Sequence, residues 1–168
     1  MSNFKVKKIT PSIGAEIIGE NIFSNLNPSL CNQIYDILIK YKVIFFRNQN
    51  LSNDQHIKFA KSFGEIEPPH PVYPHVDNYP EIVLLENDER RLPDTDVWHT
   101  DVTFRANPPF ASILYSKIIP SSGGDTLWSC LSSVFDALPK EIKSYLENLN
   151  AVHDMGDFRN TFVNNEPI

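Results

Sequence analysis

The run Trp98-His99-Thr100-Asp101-Val102-Thr103-Phe104 decides how this sequence is read. Trp98, Val102, Thr103 and Phe104 are good strand formers, and side chains two apart on a strand point to one face. His99 and Asp101 are therefore expected side by side, one imidazole beside one carboxylate. Such a pair makes up two members of the 2-His-1-carboxylate triad that holds non-heme Fe(II). The plainer alternative is a His–Asp hydrogen bond at a sheet edge. The HxD pattern alone carries little weight: five His and eleven Asp in 168 residues give by chance roughly a third of one HxD. A second one does occur, His75-Val76-Asp77. It lies between Pro74 and Pro80, where no strand is expected to fix side-chain directions, and reads as a surface loop. Composition and spacing leave metal binding and the structural pair both open.

Length and composition bound the answer. A chain of 168 residues is about one domain, residues 1–168, with enough apolar content to bury a core (41% hydrophobic, 11% aromatic). A formal charge of −6 with no basic cluster argues against nucleic acid and anionic membrane as partners. A local pocket can still attract a small anion. Cys31 and Cys130 show no CxxC spacing and read as free thiols of a reducing cytoplasm. The opening MSNFKVKKIT has no apolar core of a signal peptide, and no apolar stretch is long enough to span a bilayer. The expected location is cytoplasmic.

Along the chain, strands are expected near Phe4–Ile9 and Ala15–Ile18. Asn27-Pro28 reads as a cap followed by a first-turn proline, opening a helix whose apolar stripe is Leu30, Ile34, Ile37, Leu38 and Tyr41. Val43–Phe46 is a short apolar strand. Ser52-Asn53-Asp54-Gln55 is a capping box for a second helix that Gly64 ends, with Ile57, Ala60 and Phe63 on its buried face. Five prolines between Glu65 and Pro80 make a long loop, and its His and Tyr content argues that it is ordered. Further strands are expected at Ile82–Leu85, around His99, at Ala111–Ser116 and at Asp125–Trp128, with helices near Leu131–Leu138 and Pro139–Leu149. Helices and strands do not alternate, and no GxGxxG or GKS/T occurs, so the class is α+β, mainly β, with an antiparallel sheet or barrel.

Three runs move the reading further: HPVYPH at His70–His75, WHTDVTF at Trp98–Phe104 and PSSGGDTLW at Pro120–Trp128. Together with ITPSIGAEIIGENIF at the start, they resemble the taurine dioxygenase family, within the group that includes the 2,4-D dioxygenases. The resemblance runs from about Ile9 to Phe162, and HPVYPH is similar to the taurine branch in particular. It implies a double-stranded β-helix (jelly-roll, cupin-like) core with flanking helices. It implies Fe(II) as metal and 2-oxoglutarate and O2 as co-substrates. The implied reaction hydroxylates the carbon bearing a small sulfonate, releasing sulfite and an aldehyde with succinate and CO2. His99 and Asp101 match two iron ligands, and Thr126 matches the hydroxyl residue that contacts the 2-oxoglutarate carboxylate. His70 and Tyr73 match the sulfonate contacts, expected as a protonated imidazole and a phenol. Val102 matches a position whose backbone N–H faces substrate. Phe162 matches an apolar wall, with Met155-Gly156-Asp157 inserted before it. Family members associate, so a homo-oligomer is implied as well.

Two departures from the family pattern stand out. Thr95 replaces an Asn that contacts substrate, which leaves other small sulfonates, alkyl sulfates and aryloxyacetates open beside taurine. The third iron ligand and the two downstream arginines have no match; His153, followed by Arg159, lies in a different family segment. The expectation is a domain truncated before its C-terminal half, with open sheet edges and exposed apolar core. A non-catalytic remnant is therefore the alternative to an active enzyme. A His followed by an Arg in frame beyond Ile168 would favour the enzyme, and an early stop the remnant.

Overall fold

Ala15–Ile18 (β2) is the middle strand of a three-stranded sheet because both its edges are used. It pairs antiparallel with Lys5–Lys8 (β1) and parallel with Ile44–Phe46 (β3). Its alternation is the one a half-buried strand requires: Ala15 and Ile17 are fully buried, while Ile18 is exposed. The turn into β2 needs Gly14, whose φ of 92° is open to glycine at no steric cost. There Gly14 accepts from Ile9 N–H at 3.0 Å and donates to Tyr41 O at 2.8 Å, tying the sheet to the end of a helix. The computed structural model describes residues 4–20, 22–70, 73–88, 90 and 97–154. It divides into two units, Met1–Phe63 with Leu114–Asn150, and Gly64–Ile113 with Ala151–Ile168.

In the first unit the helix Pro28–Tyr41 (α1) starts where its cap signal predicts. The Asn27 side chain accepts from Leu30 N–H at 3.0 Å, and Pro28 opens the first turn. Cys31 and Ile34 are its buried residues. Asn53–Lys61 (α2) carries the full capping box: Gln55 N–H donates to Ser52 Oγ and Ser52 N–H to Gln55 Oε1. This fixes the helix that delivers Phe59, which is 4% exposed. Phe59 meets Phe23 edge-on at 4.9 Å, Phe63 at 5.0 Å and Phe46 at 6.0 Å, the geometry aromatic quadrupoles favour. Gln49 stitches the 3-10 helix Ile22–Asn25 to this core, accepting from Ile22 N–H and donating to Gly19 O. The unit ends in two short helices, Leu131–Ala137 (α3) and Lys140–Leu146 (α4).

The second unit contains a hairpin of His75–Val76 (β4) and Tyr79–Val83 (β5) around Asp77-Asn78. Asn78 takes φ 64°, which its short amide side chain tolerates. This corrects the loop reading of His75-Val76-Asp77 and shifts the strand expected at Ile82–Leu85 toward the N-terminus. Pro80 fits because the hairpin has no third strand among the described residues, so its missing N–H costs no ladder bond.

Three expected strands are corrected as well. Trp98–Phe104, Ala111–Ser116 and Asp125–Trp128 are irregular or turn backbone. Strand propensity expresses itself only where a neighbour supplies ladder hydrogen bonds, and among the described residues none pairs with these runs. The α+β class holds, but the four α-helices contain more residues than the five strands, so the described part is not mainly β.

Candidate functional site

His99 and Asp101 do come together, though by a turn and not by strand alternation. Residues 101–104 form the turn, Arg105 N–H closes it on Val102 O at 3.2 Å, and Val102 takes φ 54°. The result brings His99 Nε2 to 3.3 Å from Asp101 Oδ1, with both side chains about half exposed. Two further contacts fix what each group can offer. His99 Nδ1 lies 2.9 Å from Val97 O; a carbonyl only accepts, so Nδ1 carries a proton. In the neutral imidazole that leaves the Nε2 lone pair facing Asp101. Ser112 Oγ donates to Asp101 Oδ2 at 2.8 Å, leaving Oδ1 for the shared point. A lone pair and a carboxylate oxygen this close call for a cation between them, either a proton or a metal. This donor set suits a divalent ion of the imidazole- and carboxylate-binding kind. Among the described residues no cluster of three or more His, Cys, Asp or Glu could hold a metal ion.

A second polar group in the same unit centres on the half-buried His70. Tyr73 N–H donates to His70 Nδ1 at 3.2 Å, and the two rings lie 4.7 Å apart, tilted by 41°. Burial pushes the His70 imidazole below the usual histidine range, and the charges of His75 and Arg105 push in the same direction. Arg105 is held in an ion pair with Glu67. Among the described residues, buried His75 Nε2 and Arg105 Nε have no hydrogen-bond partner. Both effects, burial and charge, run against the protonated His70 that was expected. Charging the ring would place a proton on Nδ1, where the Tyr73 N–H already points.

Thr126 belongs to the first unit, exposed, two residues before Trp128, whose ring packs edge-on against Phe45 of β3 at 5.2 Å. Thr95 and Phe162 lie outside the described residues. His153 Nδ1 sits 2.8 Å from Thr103 Oγ1, and Thr103 is 2.6 Å from Thr100 Oγ1, so His153 braces the turn that carries the pair. Ser112, Arg105 and Glu67 were not visible to sequence reasoning. Ser112 is eleven positions beyond its partner and Arg105 is 38 beyond Glu67; no local spacing rule connects either.

A sequence model described as "Taurine catabolism dioxygenase TauD, TfdA family" matches residues 5–167. The chain belongs to this family. Among TauD/TfdA relatives, it is 40% identical over 150 residues to the alkylsulfatase of Acinetobacter baylyi, covering 89% of this chain and 46% of that protein. It is 38% identical to the alpha-ketoglutarate-dependent sulfate ester dioxygenase of Pseudomonas putida, covering 88% of this chain and 48% of that one. The crystal structure of a taurine dioxygenase from Burkholderia xenovorans superposes with a TM-score of 0.73 at 38% identity, covering 88% of this chain and 52% of that chain. The chain thus spans about half the length of the TauD/TfdA relatives it matches.

Proposed function

We infer that the protein acts as an Fe(II)- and 2-oxoglutarate-dependent dioxygenase on a small organosulfur anion, with a sulfonate such as taurine as the first choice. The observation that carries this is the chain of contacts Val97 O–His99–Asp101–Ser112, which presents one imidazole nitrogen and one carboxylate oxygen at a common point. His99 and Asp101 would hold the iron. Bound Fe(II) would supply the O2-dependent oxidation, in which 2-oxoglutarate becomes succinate and CO2 and a substrate C–H becomes C–OH. Thr126 keeps the role its motif implies, donating one hydrogen bond to the 2-oxoglutarate carboxylate. His70 and Tyr73 donate to the anion's oxygens, and the Val102 N–H faces the substrate. Thr95 and Phe162 are assigned to the substrate side on the motif alone. The jelly-roll core is carried over with the family, supported by the similarity to the taurine dioxygenase structure. A cytoplasmic location is supported by the free thiols of Cys31 and Cys130.

The second reading keeps the chemistry and changes the substrate to an alkyl sulfate. The alkylsulfatase and the sulfate ester dioxygenase favour it. The products separate the two. Hydroxylation at the carbon bearing a sulfonate lets the C–S bond break with its electron pair on sulfur, giving sulfite and an aldehyde. Hydroxylation at the carbon bearing a sulfate ester breaks the C–O bond and gives sulfate and an aldehyde. The test is incubation with Fe(II), 2-oxoglutarate and O2, with taurine or a short alkyl sulfate, and measurement of sulfite, sulfate and succinate. Sulfite supports the first reading and sulfate the second. No substrate-dependent succinate with any sulfonate, alkyl sulfate or aryloxyacetate overturns both and leaves a non-catalytic chain.

A further inference from the structure

Three anchors hold the His99–Asp101 pair, and they differ in reach. Val97 O takes the His99 Nδ1 proton from two residues away, and Ser112 Oγ holds Asp101 Oδ2 from eleven. The third anchor acts between the two donors. Thr100 Oγ1 lies 2.6 Å from Thr103 Oγ1, which lies 2.8 Å from Nδ1 of His153, 50 residues further along the chain. A threonine hydroxyl has one proton to give. Thr103 therefore donates to one of these neighbours and accepts from the other, and losing either end frees its hydroxyl to rotate. Among the described residues no group of three His, Cys, Asp or Glu could hold a metal ion. What the structure shows of His153 is thus a partner of the turn, not a third ligand.

We propose that His153 is a positioning residue for metal binding: through Thr103 and Thr100 it holds the turn that presents His99 Nε2 and Asp101 Oδ1 at one point. This rests on the reading of that pair as iron ligands. Both side chains are about half exposed, so little packing restrains them and hydrogen bonds set their geometry. Val97 and Ser112 each fix one donor. The relay from His153 fixes Thr100, the residue between them, and with it the spacing of the two donors. A spacing set in advance is conformational freedom already lost before the ion arrives.

The whole 168-residue chain tests this with and without Mn(II). Without metal, amide hydrogen exchange at Arg105, whose N–H closes the turn on Val102 O, should be about three- to tenfold faster in His153→Ala, the scale of one hydrogen bond. Mn(II) affinity, read by isothermal titration, should fall by a similar factor. His153→Asn, whose amide reaches the place of Nδ1 and both donates and accepts, should restore both readouts. Thr103→Val should match His153→Ala, and the double variant should lose no more than either single one, because both break the same relay. Thr103→Val against Thr103→Ser decides the matter if His153→Ala does not fold. Unchanged exchange and affinity in His153→Ala, or fully additive losses in the double variant, overturn the proposal. So does a lower urea midpoint that leaves Mn(II) affinity as it was. If the unsubstituted chain takes up no Mn(II), the iron reading fails instead, and the exchange series alone decides whether His153 holds the turn.

Discussion

Ser112 Oγ donates to Asp101 Oδ2 at 2.8 Å and thereby turns Oδ1 toward His99 Nε2. A carboxylate held through one oxygen has lost the rotation it would otherwise give up on binding a metal. Outer partners of this kind typically change metal affinity about 10–100-fold. Ser112→Ala is expected to weaken Mn(II) binding at least about tenfold on that scale, read by isothermal titration. Ser112→Thr, which keeps the hydroxyl, should bind like the unsubstituted chain. Equal affinities for the Ala and Thr variants would show that the hydrogen bond does not orient the ligand.

Phe59 stands at the centre of four phenyl rings, touching Phe23, Phe46 and Phe63. It is also the one buried residue of α2, so the helix docks largely through it. Phe59→Ala should lower unfolding stability by about 3–5 kcal/mol, the usual range for emptying an aromatic core site. Urea unfolding would report this as a lower midpoint. A loss under about 1 kcal/mol would mean that the cluster closes over the gap, contrary to the limited relaxation of close-packed interiors.

Phe59 also shows what was legible in the sequence. Helices α1 and α2 were readable because each rests on local signals: Asn27-Pro28 and Ser52–Gln55 cap them through contacts three residues long. The sequence pattern placed Ile57, Ala60 and Phe63 on the buried face of α2; Phe63 does pack against Phe59, but the buried residue at the centre is Phe59, which the pattern missed because its partner rings on Phe23 and Phe46 come from distant positions. The candidate site was legible as residues but not as geometry. His99 and Asp101 do lie side by side as the sequence led us to expect, yet their approach depends on the turn at Val102 and on Ser112. A strand former at a positive φ is the kind of local contradiction that propensity cannot anticipate. His70 and Tyr73 were likewise named, but the Tyr73 N–H contact to His70 Nδ1 is visible only in the folded backbone.

The His70 imidazole, held below its ordinary range by burial and by the charges of His75 and Arg105, links stability to pH. In the unfolded chain it takes up a proton near its ordinary value of about 6.5, while the folded chain resists until a lower pH. The unfolded state therefore binds more protons between these two values, so stability falls as pH drops through that window and is level above it. Unfolding midpoints in urea at pH 7.5 and 5.5 should show the loss, and His70→Gln should reduce it. An identical pH dependence in the variant would remove His70 from the account.

Val102 at φ 54° is a β-branched residue in the left-handed region, a conformation that costs roughly 1–2 kcal/mol for an L-residue. The turn keeps it there through Arg105 N–H on Val102 O and through the Thr100–Thr103–His153 contacts that follow. Glycine would adopt the same backbone without strain. It would lose the side chain's partial burial and add about 0.5–1 kcal/mol of unfolded-chain freedom. These changes oppose one another, so Val102→Gly should leave unfolding stability within about 1 kcal/mol of the unsubstituted chain. Val76, also half-buried but in β4 with no strain to release, is the control. There the same substitution only removes contacts and adds freedom, and should cost about 2 kcal/mol. Denaturant midpoints for the two variants decide the matter: a Val102→Gly loss as large as that of Val76→Gly would mean the turn stores no strain, and the approach of His99 to Asp101 would then need no stored backbone energy to maintain it.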